Sequence, residues 1–179
     1  MLAPGTHALG PAGGSLTVRT YREGIAQRVG HDLIIDVTSW SASLEVSADG
    51  VPTAATLDAD PRSLRVREGR NGLKPLSDRD RATILENIDA NVLHGLPISF
   101  RSSNVEVAPG RLVLAGELTL AGATRPARAE LELSDAGRVS GTLPLTQSEW
   151  GITPYRGMLG ALRVRDTVEI VVDATLPAG

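Results

Sequence analysis

The feature that most constrains this chain is the run from Gly110 to Leu133, GRLVLAGELTLAGATRPARAELEL, where apolar residues recur at alternate positions on both sides of a small-residue cluster. Leu112, Leu114, Leu118 and Leu120 share one face, with Gly116 between them, while Arg111, Glu117 and Thr119 point the other way. After a turn at Ala121-Gly122-Ala123-Thr124, the residues Ala127, Ala129, Leu131 and Leu133 alternate with Arg128, Glu130 and Glu132. Side chains on a strand alternate between faces, so this pattern specifies an antiparallel hairpin with one buried and one wetted face.

The same period recurs along the chain. Ser15 to Arg22 places Leu16, Val18 and Thr20 on one face, and Leu33, Ile35 and Val37 follow. The inward phase then moves to Trp40, Ala42, Leu44 and Val46, so a tight turn or bulge near Thr38-Ser39 curls the sheet. Ala55, Leu57 and Ala59 are in phase up to the break at Asp60-Pro61, after which come Leu64 and Val66. Ile98 and Phe100, the stretch Val139 to Leu145, and Val168, Ile170, Val172 and Ala174 supply further strands. One segment has helical spacing: Ser77 caps it, Asp80 sits at its positive end, Ile84, Leu85, Ile88 and Val92 form a stripe, and Gly95 ends it. Such a helix lies across a barrel opening or along a sheet.

About eight or more short antiparallel strands with one short α-helix make the chain all-β, a closed barrel or a sandwich, because closure removes adhesive edges. At 179 residues it suits a single domain with a sizeable core. The division expected is a flexible Pro/Gly-rich lead over residues 1–14 and one domain over residues 15–179.

Composition excludes several classes of function. Without cysteine there are no disulfides or thiolate ligands. A net charge of −3 supplies no positive field for nucleic acid. No window holds the roughly 18 apolar residues of a membrane span, and MLAPGTHALGPAGG has neither the basic region nor the apolar core of a secretion signal, so a cytoplasmic protein is expected. The only aromatic residues are Tyr21, Trp40, Phe100, Trp150 and Tyr155. The interior is therefore mostly aliphatic, and two readings fit it: a packed core, or a narrow apolar slot.

No catalytic pattern emerges. His7, His31 and His94 have no spacing suited to a metal, and neither metal nor cofactor is expected. There is no G-x-S-x-G turn, no cysteine nucleophile and no phosphate-binding glycine loop, and Glu130 and Glu132 face outward, so the chain is not expected to be an enzyme. His31 beside Asp32 is either a satisfied structural histidine or the polar end of a barrel; His94 occupies the favourable cation position at a helix end. The basic run Arg62 to Lys74 reads as a solvated strand and loop, with an anion patch as the other reading. Ala115 and Gly116, in mid-strand, mark close ligand approach or a backbone bend.

Four strings in this order resemble the YceI-like family, lipocalin-like antiparallel barrels whose best-studied members are polyisoprenoid-binding proteins. They are His31-Asp32-Leu33; the helix from Asp80 followed by Pro97-Ile98-Ser99-Phe100-Arg101-Ser102; Gly116-Glu117-Leu118-Thr119-Leu120-Ala121-Gly122-Ala123-Thr124; and Glu149-Trp150-Gly151-Ile152 ahead of Arg165-Asp166-Thr167-Val168-Glu169-Ile170. The resemblance implies a single antiparallel lipocalin-like barrel of about eight strands. It also implies non-catalytic binding, carriage or storage of a long apolar or amphiphilic ligand of polyisoprenoid or fatty-acyl type. Trp40, Phe100, Leu114, Leu118, Leu131 and Trp150 are the candidates for lining such a site, and His31 for its mouth. The chain departs from the family at Ala90-Asn91-Val92-Leu93-His94, where aromatic residues are common, and at Trp150, where Phe is frequent. A second reading is a filled barrel that serves as a protein-interaction or stress-related module through the helix and the 150–162 loop, where Ile152, Tyr155, Met158 and Leu159 sit among glycines. A homodimer formed through this flap belongs to that reading.

Overall fold

The structure, a computed structural model, describes residues 2–176. Its strands are β1 (Gly5–Leu9), β2 (Gly14–Thr20), β3 (Arg22–Glu23), β4 (Asp32–Val37), β5 (Trp40–Val46), β6 (Pro52–Ala59) and β7 (Leu64–Arg70), followed by helix α1 (Asp78–Ile88). Then come β8 (Ile98–Ala108), β9 (Arg111–Leu120), β10 (Ala123–Leu133), β11 (Arg138–Thr146), β12 (Arg156–Gly157), β13 (Leu162–Val164) and β14 (Thr167–Thr175). Eleven of these form one antiparallel sheet in the order β1-β5-β6-β8-β9-β10-β11-β14-β2-β4-β7, and β12, β13 and β3 form a small second one.

Eleven strands stand where about eight were expected, and the reason lies in bends. β4 runs into β5 through Thr38-Ser39, and β6 into β7 through Asp60 to Ser63. At this corner Thr38 N–H donates to Ser63 O at 3.1 Å and Asp60 N–H to Ser39 O at 3.0 Å, so each bent strand keeps its neighbour across the break. The change of inward phase from Val37 to Trp40 occurs here, as the sequence pattern required. β1 and β7, the two ends of the strand order, lie on opposite halves of the same bent strand, against β5 and β4. The sheet therefore curls back on itself around an apolar interior.

Two local expectations need correction. Gly5–Leu9, assigned to a flexible lead, is a strand in register with β5 from Gly5↔Val46 to Leu9↔Ala42, and His7 is buried with its Nε2 2.7 Å from Ala3 O. The β9–β10 turn is two residues long: Leu120 pairs with Ala123, leaving Ala121 (φ 49°) and Gly122 (φ 81°) in left-handed conformations, the backbone that a tight hairpin of matching twist demands. The assigned ranges 1–14 and 15–179 also include Met1 and residues 177–179, which lie outside the described residues.

Gly116 marks a bend. A Cβ built there would stand 2.1 Å from Arg101 O and 2.7 Å from Ser102 Cα, where the β8–β9 register shifts between Ser102 and Asn104. Its missing side chain lets two backbones approach at a bulge.

Buried apolar residues fall into three groups. Leu44, Val46, Leu112, Leu131, Val139 and Leu176 close one end of the curled sheet, with Leu112 only 1% exposed. Leu16, Val37, Trp40 and Ala174 form a middle belt, and Leu93, Leu120, Trp150 and Ile152 pack near the helix.

α1 begins with a reciprocal cap. Asp80 N–H donates to Ser77 Oγ at 3.1 Å, and the Asp80 carboxylate accepts from Ser77 N–H at 2.9 Å. After Ile88 the helix widens into a π-type turn over Asp89–Leu93, and His94 (φ 55°) and Gly95 (φ 64°) end it. No residue of α1 is fully buried. It is held to β7 largely by Arg81, which donates to Arg67 O at 3.0 Å and to Val66 O. A helix attached this lightly depends on its cap, so Ser77→Ala is expected to cost about 1 kcal/mol of stability. The hydrogen bonds from Ser77 hold the Asp80 carboxyl below the ordinary aspartate range. Its contribution is therefore present above a pH of about 4 and lost as the pH falls through the lower folded value. Melting temperature followed into acid should show this loss in the wild-type protein and a smaller one in Asp80→Asn.

Candidate functional site

The curled sheet encloses a cavity of about 1030 Å³, bordered by the inward residues of the strands and covered by α1. This is near the upper end of the roughly 300–1,000 Å³ usual for small-molecule sites. The interior is neither a packed aliphatic core nor a narrow slot, and the filled barrel of the second reading is not what the fold contains. Ring-poor strands explain the space: Ala42, Ala59, Ala127 and Ala129 face inward at positions where larger side chains would meet in the middle.

His31, Trp40, Phe100, Leu114, Leu118, Leu131 and Trp150 all border this one cavity. Leu131 lies at the closed end and Trp40 in the middle belt. Phe100 pairs with Leu118 across β8 and β9, and Trp150 Nε1 donates to Leu118 O at 3.0 Å, which satisfies the indole and sets its ring against the wall. His31 stands at the other end, its Nε2 donating to Lys74 O at 2.6 Å. A Cβ on Gly72 would come within 2.2 Å of that nitrogen, so the ring sits directly on the loop backbone.

The rim around His31 is polar. Thr20, Arg22, Lys74, Arg79 and Arg163 border the cavity there. Thr20 Oγ1, Arg22 Nε and Arg163 Nε are buried without a hydrogen-bond partner among the described residues, although Arg163 Nε lies 3.7 Å from Glu23. Beside this rim Tyr21 donates to Glu169 at 2.5 Å, a bond that together with burial pushes the phenol above its ordinary range. The rest of the Arg62 to Lys74 run behaves as a solvated strand and loop: Arg62 faces Asp89 at 3.7 Å, Arg67 faces Asp36 at 3.3 Å and Arg70 faces Glu68 at 2.9 Å. Among the described residues no cluster of three or more His, Asp or Glu is placed to hold a metal ion, and no helix is long and apolar enough to cross a membrane.

The cavity also reaches a side seam. β10 and β11 are hydrogen-bonded in register only at Glu132↔Ser140 and Leu133↔Val139, although both strands continue well beyond. Pro126 and Pro144, neither of which has an N–H to give, stand on the unpaired halves and border the cavity.

The family model for the YceI-like domain matches residues 28–176. The chain belongs to the YceI-like family. No curated protein sequence matches it. Among solved structures it is similar to BcnA of Burkholderia cenocepacia, with a TM-score of 0.61 and 15% identity over 88% of this chain and 94% of that one. It is also similar to the YceI protein of Campylobacter jejuni, with a TM-score of 0.58 and 10% identity over 81% and 85% of the two chains. At such identities the likeness is one of fold.

In this YceI-like chain sequence reasoning missed the helix's contribution to the cavity. Thr83, Asn87 and Asn91 border the cavity beside Ile84 and Ile88. Their spacing of four residues, which continues the row begun by Arg79 and sets small uncharged side chains there while Arg81 and Glu86 lie off the cavity, was the available signal. The cationic rim was missed because its members come from four separated segments, which only the fold brings together.

Proposed function

We propose that this YceI-like protein binds and carries, without chemical change, a long apolar or amphiphilic molecule of polyisoprenoid or fatty-acyl type in the cavity of the curled sheet. The observation that supports this most is the shape and lining of the space: one deep cavity, closed by Leu112, Leu131 and Val139 at one end and rimmed by polar groups at the other. Each methylene placed there is worth about 0.8 kcal/mol before ordering costs, so a chain needs few polar contacts to bind. Trp40, Phe100, Leu114, Leu118, Leu131 and Trp150 would line the chain. His31, Thr20, Arg22 and Arg163 would meet a polar headgroup, whose oxygens suit the unpartnered Nε and hydroxyl atoms at the rim. Membership of a family known for polyisoprenoid-binding barrels supports the same ligand class.

Titration with geranylgeraniol and with palmitate, read by tryptophan emission, tests the reading, because both tryptophans border the cavity. Saturable change at about one chain per protein is expected for at least one of the two. Emission that stays flat with both, at unchanged melting temperature, contradicts it.

A further inference from the structure

Beside the cavity's polar rim the chain displays a cluster of apolar side chains that no other described residue covers. Ile25 is 96% exposed, Met158 60% and Leu159 fully exposed, and Val29 and Tyr155 are about half exposed. The fold brings their two segments together: Ala26 N–H donates to Ala161 O at 2.9 Å, and Gly24 lies so close that a Cβ would stand 2.4 Å from the same oxygen. Gly30 packs likewise on Leu162. The segments are also joined by β13 pairing with β3. Met158 (φ 49°) and Leu159 (φ 56°) both hold left-handed backbone, an unfavourable conformation for such side chains that here projects them outward.

The charge around this tip is predominantly positive, although Asp32 and Asp166 flank its two segments. Residues 22–30 and 155–165 contain Arg22, Arg28, Arg156, Arg163 and Arg165 against the single acid Glu23, in a chain whose net charge is −3. Arg163 faces Glu23 and Arg165 lies over the Tyr21 ring, whereas Arg28 and Arg156 make no ion pair among the described residues. Val29, Tyr155, Leu162 and Arg163 belong at once to this surface and to the cavity wall.

We infer that this tip is a docking surface for an anionic lipid bilayer. Ile25, Met158 and Leu159 enter the interface while the arginines remain at the level of the headgroups, which places the cavity mouth against the lipid. Apolar insertion and attraction between arginine and anionic lipid reinforce each other, as they do for interfacial segments in general. A purely apolar protein partner would leave the arginine collar unmatched, and two copies face to face would set like charges against each other.

Flotation with vesicles of phosphatidylcholine, alone or with added phosphatidylglycerol, tests this in the full chain. The wild-type protein is expected to float with the phosphatidylglycerol vesicles, and less so as salt rises. The double variant Ile25→Asp and Leu159→Asp should lose binding by at least about tenfold, and Arg28→Glu with Arg156→Glu by at least about fivefold per arginine, both at unchanged melting temperature because the replaced side chains are exposed. Equal flotation with both vesicle types, or with wild type and the aspartate variant, overturns the inference. So does a dimer, seen by sedimentation, that Leu159→Asp dissociates while the wild type ignores vesicles. The vesicles themselves carry acyl chains, so the flotation is repeated with Ala42→Phe and Ala129→Phe, which narrow the cavity and leave the tip untouched. Unchanged flotation of that variant is expected, and its loss would show that chain uptake rather than docking holds the protein on the vesicle.

Discussion

The double variant Ala42→Phe and Ala129→Phe is expected to weaken uptake of a prenyl or acyl chain by at least about 100-fold while the protein stays folded. Both alanines face the cavity, one strand repeat above Leu44 and Leu131, which belong to its closed end. Two rings at that level remove the lower part of the space. Excluding about four methylenes at about 0.8 kcal/mol each forfeits about 3 kcal/mol, which is the stated factor. The fold should tolerate the change, since the rings enter empty volume and aromatic residues suit strands at least as well as alanine does. The melting temperature is expected to hold or rise. Unaltered uptake in a folded variant would mean that the chain is not held in the cavity.

The largest effect on stability is expected at Gly116. Alanine there must displace the Arg101 carbonyl and the Ser102 backbone, neither of which is the free end of a flexible side chain, and the β8–β9 bulge would have to open. A loss of about 3 kcal/mol is expected, at the upper end for overpacking. Gly110→Ala supplies the comparison: nothing lies within 4 Å of its Cβ, and only the left-handed backbone (φ 73°) opposes the substitution. It should cost about 1 kcal/mol. Denaturant unfolding of the two variants measures the difference, and equal losses would refute the close approach.

Much of this architecture was legible because a period of two residues is a local property. The inward faces of Leu16 and Val18, of Leu33 to Val37, of Leu112 to Leu120 and of Val168 to Ala174 follow from alternation alone, and the phase change between Val37 and Trp40 located a corner. Ser77 and Asp80 gave the start of the helix for the same reason, since a capping box lies within four residues. The strand count was not legible, because whether a bent strand is one or two depends on what its neighbour does at the bend. Nor was β1: Gly5-Thr6-His7-Ala8-Leu9 has little β propensity and becomes a strand because the edge of β5 is there to pair with. Five of the seven candidate residues, Trp40, Phe100, Leu114, Leu118 and Leu131, came together because each was drawn from the inward phase of its own strand, whereas Trp150 lies on a helical turn after β11 and His31 just ahead of β4. The openness of the interior depends on how far opposite walls stand apart, a distance no single segment encodes. The cationic rim escaped for a related reason, and of the apolar tip only the half that holds Tyr155, Met158 and Leu159 could be read, since Ile25 and Val29 join it from a segment more than a hundred residues away.

The most direct test of the central claim is native mass spectrometry of the protein purified from the cells that make it, before and after extraction with organic solvent. The expected result is a stoichiometric apolar mass that extraction removes, identifiable as a prenyl or acyl chain, and that the Ala42→Phe and Ala129→Phe variant lacks. A protein that emerges at its bare sequence mass, and whose melting temperature is unmoved by added prenyl and acyl chains, would contradict it.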